Sequence, residues 1–580
     1  MGDLSTTSTL PTIQAQLTER LHKALLAEQL PVESIQVNAA ADTRFGDYQT
    51  NAAMVLARSQ KTNPRQLAQR ILDALEVSDL CEEPSIAGAG FLNFRLRNDA
   101  LAQHARTLSK DQRLGVPAIP KKKILIDFSS PNVAKPMHVG HIRSTILGDC
   151  LARIARYLGH EVITDNHIGD WGTQFGKVIY GWKHLLDKKA LAENPLGELV
   201  RLYREVNSRE ENDNELREAV RQELVKLQQG DEENRAIWQQ TIDISLAEFK
   251  RIYALLDVHF DEWLGESFYN DALAPLVENF QEKGIAKPSE GAICIFFDDI
   301  PELADRPCLI RKSDGGYLYA TTDLATLEYR TKHWAPDAIW YITGAPQALH
   351  FQQVFEAAHR YGIQVAAEHI PFGSILGKDR KIMKTRSGEN VQLDDVLSES
   401  IERARAIVAE KNPALSDDEA RQVATAIGLG AVKYAELSQH RMTDYVFDWD
   451  KMLSFQGNTA PYLQNACVRI RSIFRKLETP WPPAKALEIL LDSDTERKLA
   501  ITLAQFGEIL PNVLDDFRPN LLANYLYTLA TTFHSFYESC PVLKADSEAQ
   551  RDSRLQLAEL TARILKQGLA LLGIQTPERM

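Results

Sequence analysis

Between residues 138 and 158, His138, Ile142, Leu147, Leu151, Ile154 and Leu158 fall near one face of a 3.6-residue period, and Gly159 follows as a stop signal. That spacing predicts an amphipathic helix. Just upstream, residues 124–126 read Ile-Leu-Ile, a short branched run flanked by Lys121 to Lys123, as suits a buried parallel strand emerging from the surface. Comparable runs at 162–164, 338–343 and 370–375 alternate with helical periodicity, predicting an α/β region with a Rossmann-like parallel sheet over residues 116–395. In such a sheet, ligands bind at the carboxyl ends of the strands.

Before this region, Leu17, Leu21, Leu25 and Leu26 mark one amphipathic helix and residues 64–75 another, while 88–96 alternate as a strand does. Residues 1–115 therefore read as a small α+β N-terminal domain. A charged stretch over 198–254, broken at Gly230, predicts a solvated helical insertion within residues 180–255. From 396 onward the pattern is helical, with connecting helices over 396–455 and an all-α bundle over 456–580. Ser416 and Glu419 have capping-box spacing, 316–320 looks strand-like, and Pro480-Trp481-Pro482-Pro483 interrupts the helical run.

A length of 580 residues calls for several domains, and 44% hydrophobic with 25% charged residues is ordinary for a globular protein. No uninterrupted apolar stretch reaches the roughly 18 residues of a membrane span, and the N-terminus lacks a basic segment followed by a hydrophobic one. A cytoplasmic protein with no membrane partner is expected. Six scattered cysteines show no zinc or disulfide spacing and fit a reducing compartment. The net charge of -13, taken alone, counts against nucleic acid. Arg469, Arg471, Arg475 and Lys476 nevertheless form a local basic stretch, suited either to gripping RNA or to a solvated helix face.

The chemistry concentrates in residues 129–141, SSPNVAKPMHVGH, which place two histidines one helical turn apart around Gly140. Pro131 and Pro136 confine this segment to a loop between strand and helix. Free amides and the helix dipole there favour phosphate, and Gly140 lets a flat purine approach the backbone, so a nucleoside triphosphate is expected. Histidines at this spacing also suit helix capping or a shared zinc ion, but no nearby HExxH or CxxC supplies further ligands, and no metal site is expected.

In this setting HVGH resembles the HIGH signature of class I aminoacyl-tRNA synthetases. The longer string SSPNVAKPMHVGHIRSTILGD, followed by NHIGDWGTQFG, is similar to the arginyl-tRNA synthetases. So are FDWDKMLSFQGNTAPYLQNA and the ending TARILKQGLALLGIQTPERM. The resemblance implies an N-terminal domain that touches the tRNA elbow, a class I catalytic domain and a helical anticodon-binding domain. It further implies a ligase that activates arginine with ATP, assisted by Mg²⁺, and transfers it to the 3′-terminal ribose of tRNA(Arg). Activation is expected to depend on bound tRNA. No editing domain is expected. The competing readings are another HIGH-type nucleotidyl transferase that needs no tRNA and an inactive tRNA-binding paralogue.

Residue by residue, the resemblance implies catalytic roles for His138, His141 and Lys384. Lys384 lies in FGSILGKDRKIMKTRSG, a degenerate KMSKS loop bracketed by Gly377 and Gly388, in which both lysines keep register. ATP is expected to meet Lys135, His138, Gly140, His141, Lys381 and Lys384. A guanidinium is planar, always charged and rich in donors, so its pocket needs carboxylates. By resemblance Asp127, Tyr319 and Asp323 supply that pocket, whereas Asn132 and Gln347 hold the amino-acid head. Phe91 and Asn93 match positions that stack on and hydrogen-bond a D-loop base. Plainer roles remain open: Asp323 as a helix N-cap, Asp127 as a loop cap, Phe91 as core and Asn93 as a strand-end residue.

Overall fold

Ile124, Leu125 and Ile126 are buried almost completely, at the centre of a parallel sheet. The computed structural model describes residues 10–40, 42–377, 379–381, 383, 391–477, 481 and 488–580. Two compact units emerge, one of Pro120–Glu410 with Gly428–Met452, the other of Met1–Ile119, Lys411–Ile427 and Leu453–Met580.

In the first unit, strands β1 (Lys123–Phe128), β2 (Glu161–Asp165), β3 (Ala338–Ile342) and β4 (Ala366–His369) lie in the order β4-β3-β1-β2, all parallel. After β1 the chain goes to one side and returns as β3 on the other. The carboxyl ends of β1 and β3 therefore flank a topological switch point, where an α/β sheet opens a crevice. The expected strand at 370–375 is not formed. β4 ends at His369 because Pro371 cannot donate to a ladder, and Ile375–Leu376 pairs instead with Tyr445–Val446.

Helix α1 (Gly140–Leu158) follows β1 and ends at Gly159 in the left-handed region, φ 109°. It lies so close to β1 that a Cβ at Gly148 would strike the Phe128 ring. Arg143 on α1 is fully buried and donates to Glu436 Oε1 at 2.6 Å, the Thr443 carbonyl at 3.1 Å and the Arg441 carbonyl at 3.0 Å. The charged insertion is built from Pro195–Glu210, Asn214–Gln229 and Glu232–Leu255, with Asp213 and Asp231 as N-caps and Gly230 ending the middle helix.

A three-stranded antiparallel sheet (Ala286–Ser289, Ala292–Ile295, Cys308–Arg311) precedes helix α2 (Tyr319–Trp334). Residues 316–320 are thus not a strand: Tyr317 makes one bridge to Arg311, and the helix begins two residues later. Leu324 of α2, Ile339 of β3 and Val354 of α3 (Ala348–Tyr361) share a core with Leu125 and Phe280.

In the second unit, the sheet order is Asn38–Ala39, Tyr48–Thr50, Phe91–Phe94, Ser85–Ala87. On the Ile13–Ala27 helix Leu17, Leu21 and Leu25 are buried, but Leu26, expected on the same face, is 61% exposed. Helices Ala460–Phe474, Asp494–Ala504, Phe506–Asp515, Asn520–Ser539 and Glu548–Leu571 form the bundle. Arg497 clasps bundle to sheet with two bonds to the Asp47 carboxylate, 3.0 and 2.6 Å, and one to the Leu96 carbonyl. The capping box forms as read, with the Ser416 amide 3.1 Å from Glu419 Oε2 and the Glu419 amide 3.4 Å from Ser416 Oγ. The proline-rich interruption lies outside the described residues except for Trp481.

All six cysteines are buried and free. Among the described residues no helix is long and apolar enough to cross a membrane.

Candidate active site

β1 delivers Asp127 to the switch point, and the loop that follows is held open by unusual backbone: Ser129, Ser130 and Ala134 have φ of 73°, 48° and 60°. Side chains support it from below. Ser144 Oγ accepts from the Ser129 amide at 2.8 Å and donates to the Ile342 carbonyl at 2.6 Å, tying loop, α1 and β3 together. Asn166, in the NHIGDWG segment, accepts from the Ser130 amide at 3.1 Å. The Val133 amide donates to the Gly169 carbonyl at 3.0 Å.

The two histidines pack ring on ring, centroids 4.0 Å apart. His141 Nδ1 accepts from the His138 amide at 3.0 Å, and His138 Nδ1 accepts from the Gly140 amide at 3.1 Å. With Nδ1 used as an acceptor, a neutral ring carries its proton on Nε2 and can donate it outward. Burial, then the neighbouring His138, pushes His141 down to about 3, and burial with the Lys135 charge lowers His138. Two neutral donors thus stand at the start of α1.

Gly140 has a second reason to be glycine. A Cβ there would lie 2.8 Å from His138 Cε1 and 2.9 Å from its Nδ1, so the missing side chain makes room for the histidine ring. The expectation of free amides at this helix start is not met. The amides of Val139, Gly140, His141 and Ile142 are taken by Val391, His138 Nδ1, the His138 carbonyl and the Val139 carbonyl. What this helix start offers an anion is therefore side chains and the dipole rather than free amides.

Asp127 is buried, and its Oδ2 accepts from Arg330 Nη2 at 2.6 Å while Oδ1 accepts from Ser130 Oγ at 3.1 Å. One oxygen thus holds the loop through Ser130, and an internal guanidinium already occupies the other. Tyr319 and Asp323 sit one turn apart on α2, Tyr319 opening the helix and 72% exposed. Asp323 is the fifth residue of that helix, which rules out the N-cap role. Its Oδ2 lies 2.5 Å from His350 Nε2 of α3. Glu266 also faces this group, pushed up to about 8 by burial and then by Asp323 and Asp170. Asn132 is exposed against Gly169, and Gln347 is exposed in the turn before α3.

Arg330, His350 and Glu266 are absent from the sequence reading. Arg330 carries a legible signal, since positions 319, 323 and 330 fall on one helix face. Glu266 carries none, because it sits in a short 3-10 turn reached only through the fold.

Lys135 extends over the Tyr203 ring of the insertion, 5.3 Å from its centroid. Lys381 is exposed, and its carbonyl accepts from the Gly377 amide at 2.8 Å. Lys384 and Gly388 lie outside the described residues. The chain after that loop pairs with the histidine segment: the Leu393 amide donates to the Met137 carbonyl at 2.9 Å, and the Val139 amide to the Val391 carbonyl at 2.8 Å. A cleft of about 960 Å³ beside this pairing is lined by Pro136, Met137 and the insertion, and by none of the residues expected to hold arginine or ATP.

In the second unit, Asn93 is 2% exposed, its amide turned to the Ser85 and Phe91 carbonyls. In this arrangement the Nδ2 group faces carbonyls of its own sheet at 3.5 and 3.4 Å. Phe91 is half-buried at the strand start. In the basic stretch, Arg471 and Arg475 bond to the Pro577 and Glu578 carbonyls, and Arg469 meets His534.

Residues 103–449 match the family of class I tRNA synthetases (R), catalytic domain, 463–580 the DALR anticodon binding domain, and 11–96 the arginyl tRNA synthetase N terminal domain. The arginine–tRNA ligase of Escherichia coli K12 is 44% identical over 576 residues, covering 98% of this chain and 100% of its own. The crystal structure of arginyl-tRNA synthetase from Plasmodium falciparum superposes with a TM-score of 0.84 at 28% identity, over 99% of this chain and all of that one. The Thermus thermophilus arginyl-tRNA synthetase gives 0.83 at 27%, over 98% and 100%. With all three of its regions matched and its relatives aligned from end to end, the chain belongs to the arginyl-tRNA synthetase family.

Proposed function

We infer that this protein ligates arginine to tRNA(Arg), first forming arginyl-adenylate from arginine and ATP and then esterifying the 3′-terminal ribose. What carries this reading is likeness along the whole chain to a ligase of that activity, 44% identity with no part of the relative left uncovered. Nothing in the reaction calls for an enzyme nucleophile. The arginine carboxylate attacks the α-phosphate in line, pyrophosphate leaves, and catalysis rests on positioning and charge stabilisation.

In this assignment the Nε2–H groups of His138 and His141 donate to phosphate oxygens as charge builds, and Lys384 and Lys381 neutralise the leaving pyrophosphate. Lys135 is a further phosphate contact once it leaves Tyr203. Asp323 and Glu266 receive the guanidinium beside Tyr319, with Asp127 beneath, and Asn132 and Gln347 hold the head group. Among the described residues no cluster of three or more His, Cys, Asp or Glu stands ready for a metal. Mg²⁺ enters with ATP as part of the substrate.

Residues 1–115, through Phe91, meet the tRNA elbow, 456–580 meet the anticodon, and the cytoplasm is the place of work. Arginine activation waits for tRNA. Arginine-dependent pyrophosphate exchange and tRNA charging, run with and without tRNA(Arg), test the reading. Exchange that needs no tRNA and never leads to charging would favour a free-standing nucleotidyl transferase, and absence of both would favour an inactive tRNA-binding paralogue.

A further inference from the structure

Asp127 and Asp165 are paired in register at the carboxyl ends of adjacent parallel strands, so their side chains leave the same face side by side. Both are buried. Two carboxylates in that arrangement repel, and the repulsion is met by one group: Arg330 Nη2 donates to Asp127 Oδ2 at 2.6 Å and to Asp165 Oδ2 at 2.7 Å. Arg330 is itself fully buried, its guanidinium carbon 5.3 Å from the Tyr341 ring centroid, and among the described residues its Nε and Nη1 find no hydrogen-bond acceptor. Burial opposes its charge, yet Asp127, Tyr341 and Asp165 outweigh that and hold it well above the usual arginine range.

A buried ion triad is a poor way to gain stability, since apolar packing of equal volume does as well or better. Its placement here has another consequence. Arg330 shares a face of α2 with Tyr319 and Asp323, seven residues beyond Asp323, so one helix carries both an acceptor for an incoming cation and the internal cation that balances the strand ends. Asp127 keeps its second oxygen toward Ser130 and the loop.

We propose that Arg330 is a positioning residue of the arginine pocket, fixing Asp127 and setting the number of uncompensated negative charges that an incoming guanidinium meets. This rests on the arginine–tRNA ligase reading. Without Arg330, Asp127 turns and the Asp127–Asp165 pair is left carrying both of its negative charges.

The test is tRNA-dependent pyrophosphate exchange by the full-length protein carrying Arg330→Lys, and by the double variant Arg330→Met/Asp165→Asn, which removes one charge of each sign. Each should raise the KM for arginine about 10- to 100-fold, the scale of one charge-assisted hydrogen bond. The KM for ATP should stay within about twofold, since the histidine segment keeps its own contacts. An unchanged arginine KM in a folded variant, or arginine and ATP constants rising together, would overturn the proposal. Failure of both variants to fold would do the same, by showing a purely structural role. Unsubstituted protein with no arginine-dependent exchange would defeat the functional reading itself, whereas normal exchange with unaffected variants defeats only the role of Arg330.

Discussion

The Val139 amide and the Val391 carbonyl are joined at 2.8 Å, so the first turn of the histidine helix hangs on the chain that follows the lysine loop. With the Leu393 amide on Met137 as well, the histidine segment and residues 391–393 share a short antiparallel pairing. Displacement of one is transmitted to the other through the backbone, whatever the side chains do.

Gly140→Ala should leave a folded protein with a damaged centre. The added methyl meets the His138 ring at 2.8 to 2.9 Å, a distance that forces the ring to move rather than the backbone to yield. Adenylate formation should slow by about 10-fold or more, while thermal stability changes by about 1 kcal/mol or less, as for an exposed helix-start position. Stopped-flow or quench measurement of adenylate, beside a melting curve, checks both. A stability loss with a normal rate would contradict it.

His141→Gln removes an outward donor, and loss of one such donor to a developing oxyanion costs about 100- to 1000-fold in rate. The same residue shapes the acid limb of stability. Its folded form resists protonation down to about 3, whereas an unfolded histidine titrates near 6.5. Its contribution is therefore complete above about pH 6.5 and declines as pH falls toward 3. Urea titrations between pH 7 and 4 should show a shallower decline in His141→Gln, and an identical slope would refute the assignment.

Glu508 works in the opposite sense. Buried between sheet and bundle, it accepts from the Gln14 amide at 3.0 Å and the Tyr48 hydroxyl at 2.9 Å, and burial pushes its carboxyl up to about 7. A folded value above the unfolded 4.5 means stability that is full below about 4.5 and lost as pH rises through about 7. Glu508→Gln keeps the accepting oxygen and removes the charge, so stability should flatten across that window. Chemical denaturation at pH 5 and 8 decides the matter: a variant with the same pH difference as the parent would be inconsistent with this account.

The parallel sheet is legible from sequence because its strands are short, branched and buried on both faces, which leaves a continuous apolar run such as Ile124 to Ile126. The error at 370–375 arises from the same rule: Ile370 and Ile375 are apolar and buried, but Pro371 interrupts the run, so that Ile370 bonds to Tyr341 of β3 while Ile375 pairs elsewhere, with Tyr445. Asn93 shows another limit, since alternation alone does not say which face of a short strand is covered, and here the residue is 2% exposed. His350 and Asp323 are 27 residues apart on different helices and meet only because α2 and α3 pack together. No periodicity announces such a pair.

Asp323→Asn should weaken arginine binding, raising the KM about 10- to 100-fold, because a charged acceptor in a partly shielded pocket becomes a neutral one. His350 at 2.5 Å is the competing partner in the absence of substrate. His350→Ala should therefore free the carboxylate and change arginine affinity without altering ATP affinity. Initial rates at varied arginine check both, and an unchanged constant in Asp323→Asn would remove this residue from the pocket.

The last expectation concerns order of events: arginine activation should require bound tRNA. The loop from Gly377 to Gly388 departs from the usual KMSKS string at Ile382, Met383 and Thr385, and its closing lysine must reach phosphate from a segment anchored to the histidine helix through Val391. If the closed arrangement is sparsely populated alone, tRNA bound through the terminal regions raises activity by favouring it, with no new chemical group supplied. A tRNA oxidised at its terminal ribose cannot accept arginine but still binds. Pyrophosphate exchange should be absent without tRNA and restored by the oxidised tRNA, since binding rather than turnover supplies the shift. Exchange at full rate with no tRNA would end this account, and exchange restored only by intact tRNA would move the requirement from binding to the transfer step.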